Sequence, residues 1–109
     1  MALPHATAGE PIDVRPLGGN IASGRTAALF KSRDLEVVRL VLSAGQSLPP
    51  HQVAGEITIH CLEGRLAIDL DTGRAELAAG ELMFLERGAM HAVTALENAS
   101  ALLTIVLLG

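Results

Sequence analysis

Turn-forming residues recur along this chain at a spacing too short for helices. Gly18-Gly19, Ser32-Arg33-Asp34, Gly45, Pro49-Pro50, Gly55, Glu63-Gly64, Asp71-Thr72-Gly73, Gly80, Arg87-Gly88 and Glu97-Asn98 divide it into pieces of roughly five to ten residues. Apolar runs of that length between turn signals build an all-β sandwich or barrel. No window keeps a 3.6-residue apolar period beyond about two turns, which argues against long helices. Strands are expected at about 12–16, 25–31, 35–43, 56–62, 65–71, 74–78, 81–85, 91–96 and 100–108. Residues 1–11 are small, polar and proline-containing and read as a flexible arm, with 12–109 as a single domain.

Individual pieces add detail. The run Arg65-Leu66-Ala67-Ile68-Asp69-Leu70-Asp71 alternates charge and hydrophobe, as a strand with one wet face should. Asp71-Thr72-Gly73 is a tight hairpin turn closed by its glycine. The last run, Ala101 to Leu108, has almost no polar face and is expected in the middle of a sheet or at a subunit contact. Glu36 and Arg39 read as part of a solvated sheet face.

Composition narrows the function classes. Half of the residues are hydrophobic, enough for a packed core, and the aromatics are only Phe30 and Phe84. A formal charge of −4, one lysine (Lys31) and scattered arginines argue against a nucleic-acid partner, which needs clustered cations. Nothing resembles a membrane-spanning run, and Met1 to Glu10 has no apolar signal-peptide core. A lone cysteine, Cys61, forms no internal disulfide and suits a reducing compartment. The expectation is a soluble, cytoplasmic protein without membrane or nucleic-acid contacts.

Two segments carry chemistry. One runs from Gly45 through Pro49-Pro50-His51-Gln52-Val53-Ala54-Gly55-Glu56-Ile57 to Gly64; the other runs Gly80-Glu81-Leu82-Met83-Phe84-Leu85-Glu86-Arg87-Gly88-Ala89-Met90-His91. The first resembles the opening cupin motif, G-x5-H-x-H-x3,4-E-x6-G, with Gly45, His51 and Gly64 in place. The second resembles the closing motif, G-x5-P-x-G-x2-H-x3-N, with Gly80, Gly88 and His91 in register. From about Val37 to Leu108 the chain is therefore similar to small, single-domain RmlC-like cupins. That resemblance implies a jelly-roll barrel of two antiparallel sheets.

It also implies a metal site that these residues do not complete. Metal-binding cupins take two histidines and a carboxylate from the first motif and a histidine from the second. The second histidine position is Val53, the carboxylate position is Ile57, and the motif's Pro and Asn are Glu86 and Ala95. Glu56 and His60 lie on the wrong strand parity to substitute. Cys61 has the right parity but sits four residues past Ile57, about 13 Å along a strand. Its surroundings mark it as a buried hydrophobe rather than a reactive thiol.

His51 and His91 are thus expected to mark a ligand pocket at the barrel mouth, with Val53 and Ile57 as its apolar walls and no metal or catalytic residue assigned. Desolvation by those walls favours neutral imidazoles, which suit binding a small polar molecule. The leading reading is a small-molecule-binding or structural and regulatory module, assembled as a homodimer as the resemblance implies. One alternative is a metal-dependent dioxygenase or isomerase-like enzyme, in which His51 and His91 hold Zn, Ni, Fe or Mn weakly with non-protein ligands. Another is a metal-free isomerase or epimerase-like enzyme with a histidine base. His60 is expected at a surface or interface, and His5 in the solvated arm.

Overall fold

A computed structural model describes residues 6–108; His5 and the first part of the arm lie outside them. Nine strands follow one short 3-10 turn at Gly18–Ser23: β1 (Ala27–Lys31), β2 (Leu35–Leu42), β3 (Ser47–His51), β4 (Ile57–Glu63), β5 (Arg65–Leu70), β6 (Gly73–Ala78), β7 (Leu82–Leu85), β8 (His91–Ala95) and β9 (Ala99–Val106). They form a five-stranded sheet in the order β1-β2-β9-β4-β7 and a four-stranded sheet in the order β3-β8-β5-β6. Every pairing described is antiparallel. This is the expected all-β double-sheet architecture.

Alternation decides what lies between the sheets. Ile57, Ile59 and Cys61 of β4 face Leu40 and Leu42 of β2, Ala101 and Leu103 of β9, and Leu66, Ile68 and Val93 of the opposite sheet within one buried cluster. Side chains such as Ile59, Ile68 and Val93 are wholly buried, each stabilising the fold by roughly 1.5–3 kcal/mol relative to exposure. The last strand, β9, lies between β2 and β4, the mid-sheet position its apolar run called for.

Close backbone approaches explain two glycines. Gly64 links β4 to β5 at φ +76°, and a Cβ there would overlap Asn98 O and Ala99. At Gly55, a Cβ would overlap the carbonyl of Val106, whose N–H is bonded to Glu56 O at 3.0 Å. Any side chain at either point would push apart the first motif and the β9 end it leans on.

Three expectations need correction. The segment 12–16 is not a strand: Asp13 Oδ1 accepts the Arg15 N–H at 3.0 Å and Asp13 also takes Arg15's guanidinium, a local bond that competes with a ladder. Arg39 does not lie on a solvated face. It is 8% exposed and donates to the carbonyls of Arg15 (3.0 Å) and Asp13 (3.3 Å), fastening the segment before the 3-10 turn to the five-stranded sheet. Lastly, Ser47–His51 is a strand that turn chemistry hides. Prolines cannot donate to a ladder, but β3 is a sheet edge, where they are tolerated.

Candidate functional site

The pair at the centre of the site is created by an irregularity in β3. Ser47 stands opposite Thr94 and Leu48 opposite Val93; continued evenly, that register would set His51 against Met90. The ladder instead slips by one residue across Pro49-Pro50, and His51 pairs with His91. A one-residue shift exchanges the two faces of a strand. The tandem proline thus turns His51 from the outward parity to the inward one.

The two imidazoles lie with ring centroids 4.3 Å apart and planes tilted by 55°. They are held alike. His51 Nδ1 is 3.1 Å from Pro49 O, and His91 Nδ1 is 3.1 Å from Ala89 O, each carbonyl two residues back on the same segment. A carbonyl only accepts, so each Nδ1 carries the proton and each Nε2 presents a lone pair. The rings differ in depth: His51 is half-buried, whereas His91 is 1% exposed and its Nε2 has no hydrogen-bond partner.

Burial dominates the electrostatics of His91. Desolvation pushes its imidazole below the usual histidine value of 6.5, against the opposing bond to Ala89 O, and His51 adds a further push downward. No carboxylate is among these influences. A His–carboxylate relay, the usual means of strengthening a histidine base, is not built here.

Val53 and Ile57, the expected pocket walls, both pack with the hydrophobic core. Ile57 is 3% exposed inside the core, and Val53 packs against the core from the loop after β3. The Val53 carbonyl accepts the Gly88 N–H at 3.0 Å, joining the two motif segments directly. Glu56 is exposed, as its parity requires. Cys61 is fully buried, and its Sγ points to the carbonyls of Glu63 (3.4 Å) and Gly64 (3.8 Å) at the far end of β4. Desolvation raises its thiol pKa, so it is not a poised thiolate. His60 is half-buried on the outer face of the five-stranded sheet, opposite Leu82 and Leu102.

Two histidine Nε2 lone pairs are all that the motif positions supply, and among the described residues no three His, Cys, Asp or Glu side chains group as ligands. Catalytic sites normally take three protein ligands. The residues present do not fit the family's metal centre.

A second polar cluster escaped sequence reasoning. Glu63 accepts the backbone N–H groups of Leu17 (2.8 Å) and Gly18 (3.0 Å) and the hydroxyl of Ser100, which is buried. Burial works to raise this carboxyl, but the hydrogen bonds and nearby Arg39 prevail and hold it below the usual carboxylate value. A polar residue at position 100, before an otherwise apolar run, was the available signal.

Comparison with known proteins agrees with the fold. The cupin-domain family profile matches residues 38–107, more than half of the chain. The chain belongs to the cupin family. No curated protein matches this cupin in sequence. Among solved structures it is similar to a conserved protein of unknown function from Streptococcus pyogenes (20% identity, TM-score 0.76, covering 100% of this chain and 96% of that one). An RmlC-like cupin from Desulfovibrio desulfuricans is 26% identical, with TM-score 0.68 and 74% and 79% of the two chains covered. KdgF from a Halomonas species is 20% identical, with TM-score 0.67 and 74% and 77% covered. Among the described residues no helix is long and apolar enough to cross a membrane.

Proposed function

We propose that this cupin binds a small neutral molecule that donates a hydrogen bond, a hydroxyl or an uncharged N–H compound, at the His51–His91 pair. The observation that carries the reading is His91 Nε2: a buried acceptor that no protein group satisfies. Leaving such an atom unpaired costs roughly 1–3 kcal/mol, and a ligand donor recovers it. The absence of a carboxylate among the groups acting on His91 disfavours a cationic ligand. Ligand access displaces the His51 ring, which sits on an edge strand and is held by one described hydrogen bond. The chemistry is recognition rather than turnover, because nothing beside the pair stabilises a developing charge.

The test is a thermal-shift screen of polyols, sugars, amides and carboxylates against the wild-type chain, His91→Leu and His51→Ala. Donor compounds are expected to raise the melting temperature of the wild type and not of His91→Leu. A panel that leaves the wild type unmoved, or shifts His91→Leu equally, would overturn the proposal. So would stoichiometric Fe, Mn, Ni or Zn that is retained by the untagged wild type and lost in His51→Ala and His91→Ala; that result would favour a metal-dependent enzyme instead.

A further inference from the structure

On the four-stranded sheet the arginines find carboxylates: Arg74 meets Asp69 at 2.7 Å and Arg65 meets Glu76 at 3.2 Å. Arg39, on the five-stranded sheet, does not. It pairs with Ala27 of β1 and Leu102 of β9 on the outer face, yet it is only 8% exposed. Its guanidinium donates to two neutral carbonyls, Arg15 O and Asp13 O, and among the described residues no carboxylate pairs with it. Glu63 is close enough to feel that charge, but its oxygens are taken by Leu17 N–H, Gly18 N–H and the Ser100 hydroxyl. A guanidinium has more donors than two bonds use, and carbonyl oxygens orient a charge without cancelling it. Buried charges are normally paired, because an unpaired one is unfavourable to desolvate. Arg39 is a permanent cation without a partner of opposite sign.

That cation opens on a cavity. Between residues 13–25 and β1, a space of about 650 Å³ is lined by Arg15, Arg25 and Arg39, with Leu17, Ala27 and Leu29 as apolar walls. Cavities of roughly 300–1,000 Å³ are the size that holds small molecules. Asp13 also lines it, but its carboxylate is engaged by Arg15, accepting Nε–H at 3.0 Å and Nη2–H at 2.8 Å. Arg25 is exposed and pairs with no carboxylate among the described residues. Three arginines against one aspartate leave the lining with two uncompensated positive charges, in a chain whose net charge is −4. The outer wall is fixed in place: Glu63 holds Leu17 and Gly18, and Gly24 lies so close to Leu17 that a Cβ there would overlap its Cδ1.

We infer that this cavity binds a small doubly charged oxyanion, a phosphate monoester or a dicarboxylate, between Arg25 and Arg39. The planar guanidinium fork matches carboxylate and phosphate oxygens, and such charge-assisted bonds are stronger than neutral ones. A dianion cancels the lining's surplus charge and supplies the partner that Arg39 lacks, while Leu17, Ala27 and Leu29 accept the uncharged body of the ligand. The site lies on the sheet opposite the one that carries His51 and His91, so the inference does not depend on what the histidine pair binds.

Isothermal titration calorimetry on the full chain, in low-salt buffer free of phosphate, tests it with inorganic phosphate, glycerol 2-phosphate, succinate and neutral glycerol as probes. Saturable binding of a dianion, and none of glycerol, is expected, and the tighter probe tells phosphate from carboxylate. Arg25→Gln should weaken that binding about tenfold or more. Asp13→Asn, which removes the acid from the lining, should tighten it, a gain that a purely structural role would not produce. Arg39→Gln should abolish it; because Arg39 also clasps the Asp13 and Arg15 carbonyls, the Arg25 and Asp13 variants decide the matter if that protein does not fold. Arg33→Gln, exposed on the turn between β1 and β2 and outside the cavity, should leave the affinity unchanged. The inference is overturned if no dianion binds at millimolar concentration, or if binding ignores both Arg25→Gln and Asp13→Asn. Binding weakened as much by Arg33→Gln as by Arg25→Gln, or abolished by His91→Leu, would overturn it too.

Discussion

Replacing His91 by leucine should do something unusual for a residue that is 1% exposed. Truncating a satisfied core side chain costs about 2–5 kcal/mol, because packing is lost and a cavity remains. Leucine has a volume close to that of histidine, so little cavity forms. It removes the unpartnered Nε2, whose burial costs roughly 1–3 kcal/mol. It also removes the Nδ1–H bond to Ala89 O, a loss of about 1 kcal/mol, at a residue only half-buried where water can replace the donor. The balance predicts a stability unchanged or raised by up to about 2 kcal/mol, together with loss of ligand response. Urea denaturation of both proteins, compared at equal m-value, gives the number. A loss above about 2 kcal/mol would show that His91 is a satisfied structural residue and would refute the reasoning.

Other outcomes follow from the same geometry. Because burial holds the folded His91 below 6.5, the unfolded chain takes up a proton first as pH falls; stability should be full above that value and decline below it by up to about 1.4 kcal/mol per pH unit. Urea titrations across that window should show the slope in the wild type and a flatter one in His91→Leu. Glu63→Gln, which removes the charge accepting Leu17 N–H, Gly18 N–H and the Ser100 hydroxyl, should lose about 1.5–3 kcal/mol and speed proteolysis around Leu17 and Gly18. Since the folded Glu63 carboxyl is held below its usual 4.5, that contribution is present above 4.5 and lost as pH falls below it, a window separate from the histidine's. Gly64→Ala should cost about 1–3 kcal/mol for its positive φ alone, plus the overlap with Asn98 O, as read by thermal denaturation.

Much of the fold was legible because turn chemistry and alternation are local. The glycines that separated the apolar runs sit at positive φ at Gly45, Gly64, Gly73, Gly80 and Gly88, and β9 took the mid-sheet place its apolar run indicated. Misreadings came where a local rule met a non-local partner. Pro49-Pro50 reads as a break, yet an edge strand pairing on one side only absorbs it. Ile12 to Pro16 reads as a strand, but Asp13 closes on Arg15 and the segment's carbonyls go to Arg39, 24 residues beyond Arg15. Both histidines stood in motif register, so the pair itself was readable. What was not readable is the one-residue slip that makes His51 face His91, because it depends on how β3 and β8 meet.

The most direct test is side-chain nitrogen NMR of the four histidines in the full chain, with and without hydroxyl-bearing ligands from the screen. His91 is expected to be neutral at pH 7, protonated on Nδ1, with an Nε2 resonance that moves toward the hydrogen-bonded range only when a donor ligand is added. An Nε2 that carries the proton, or one that no donor compound shifts, would contradict this expectation.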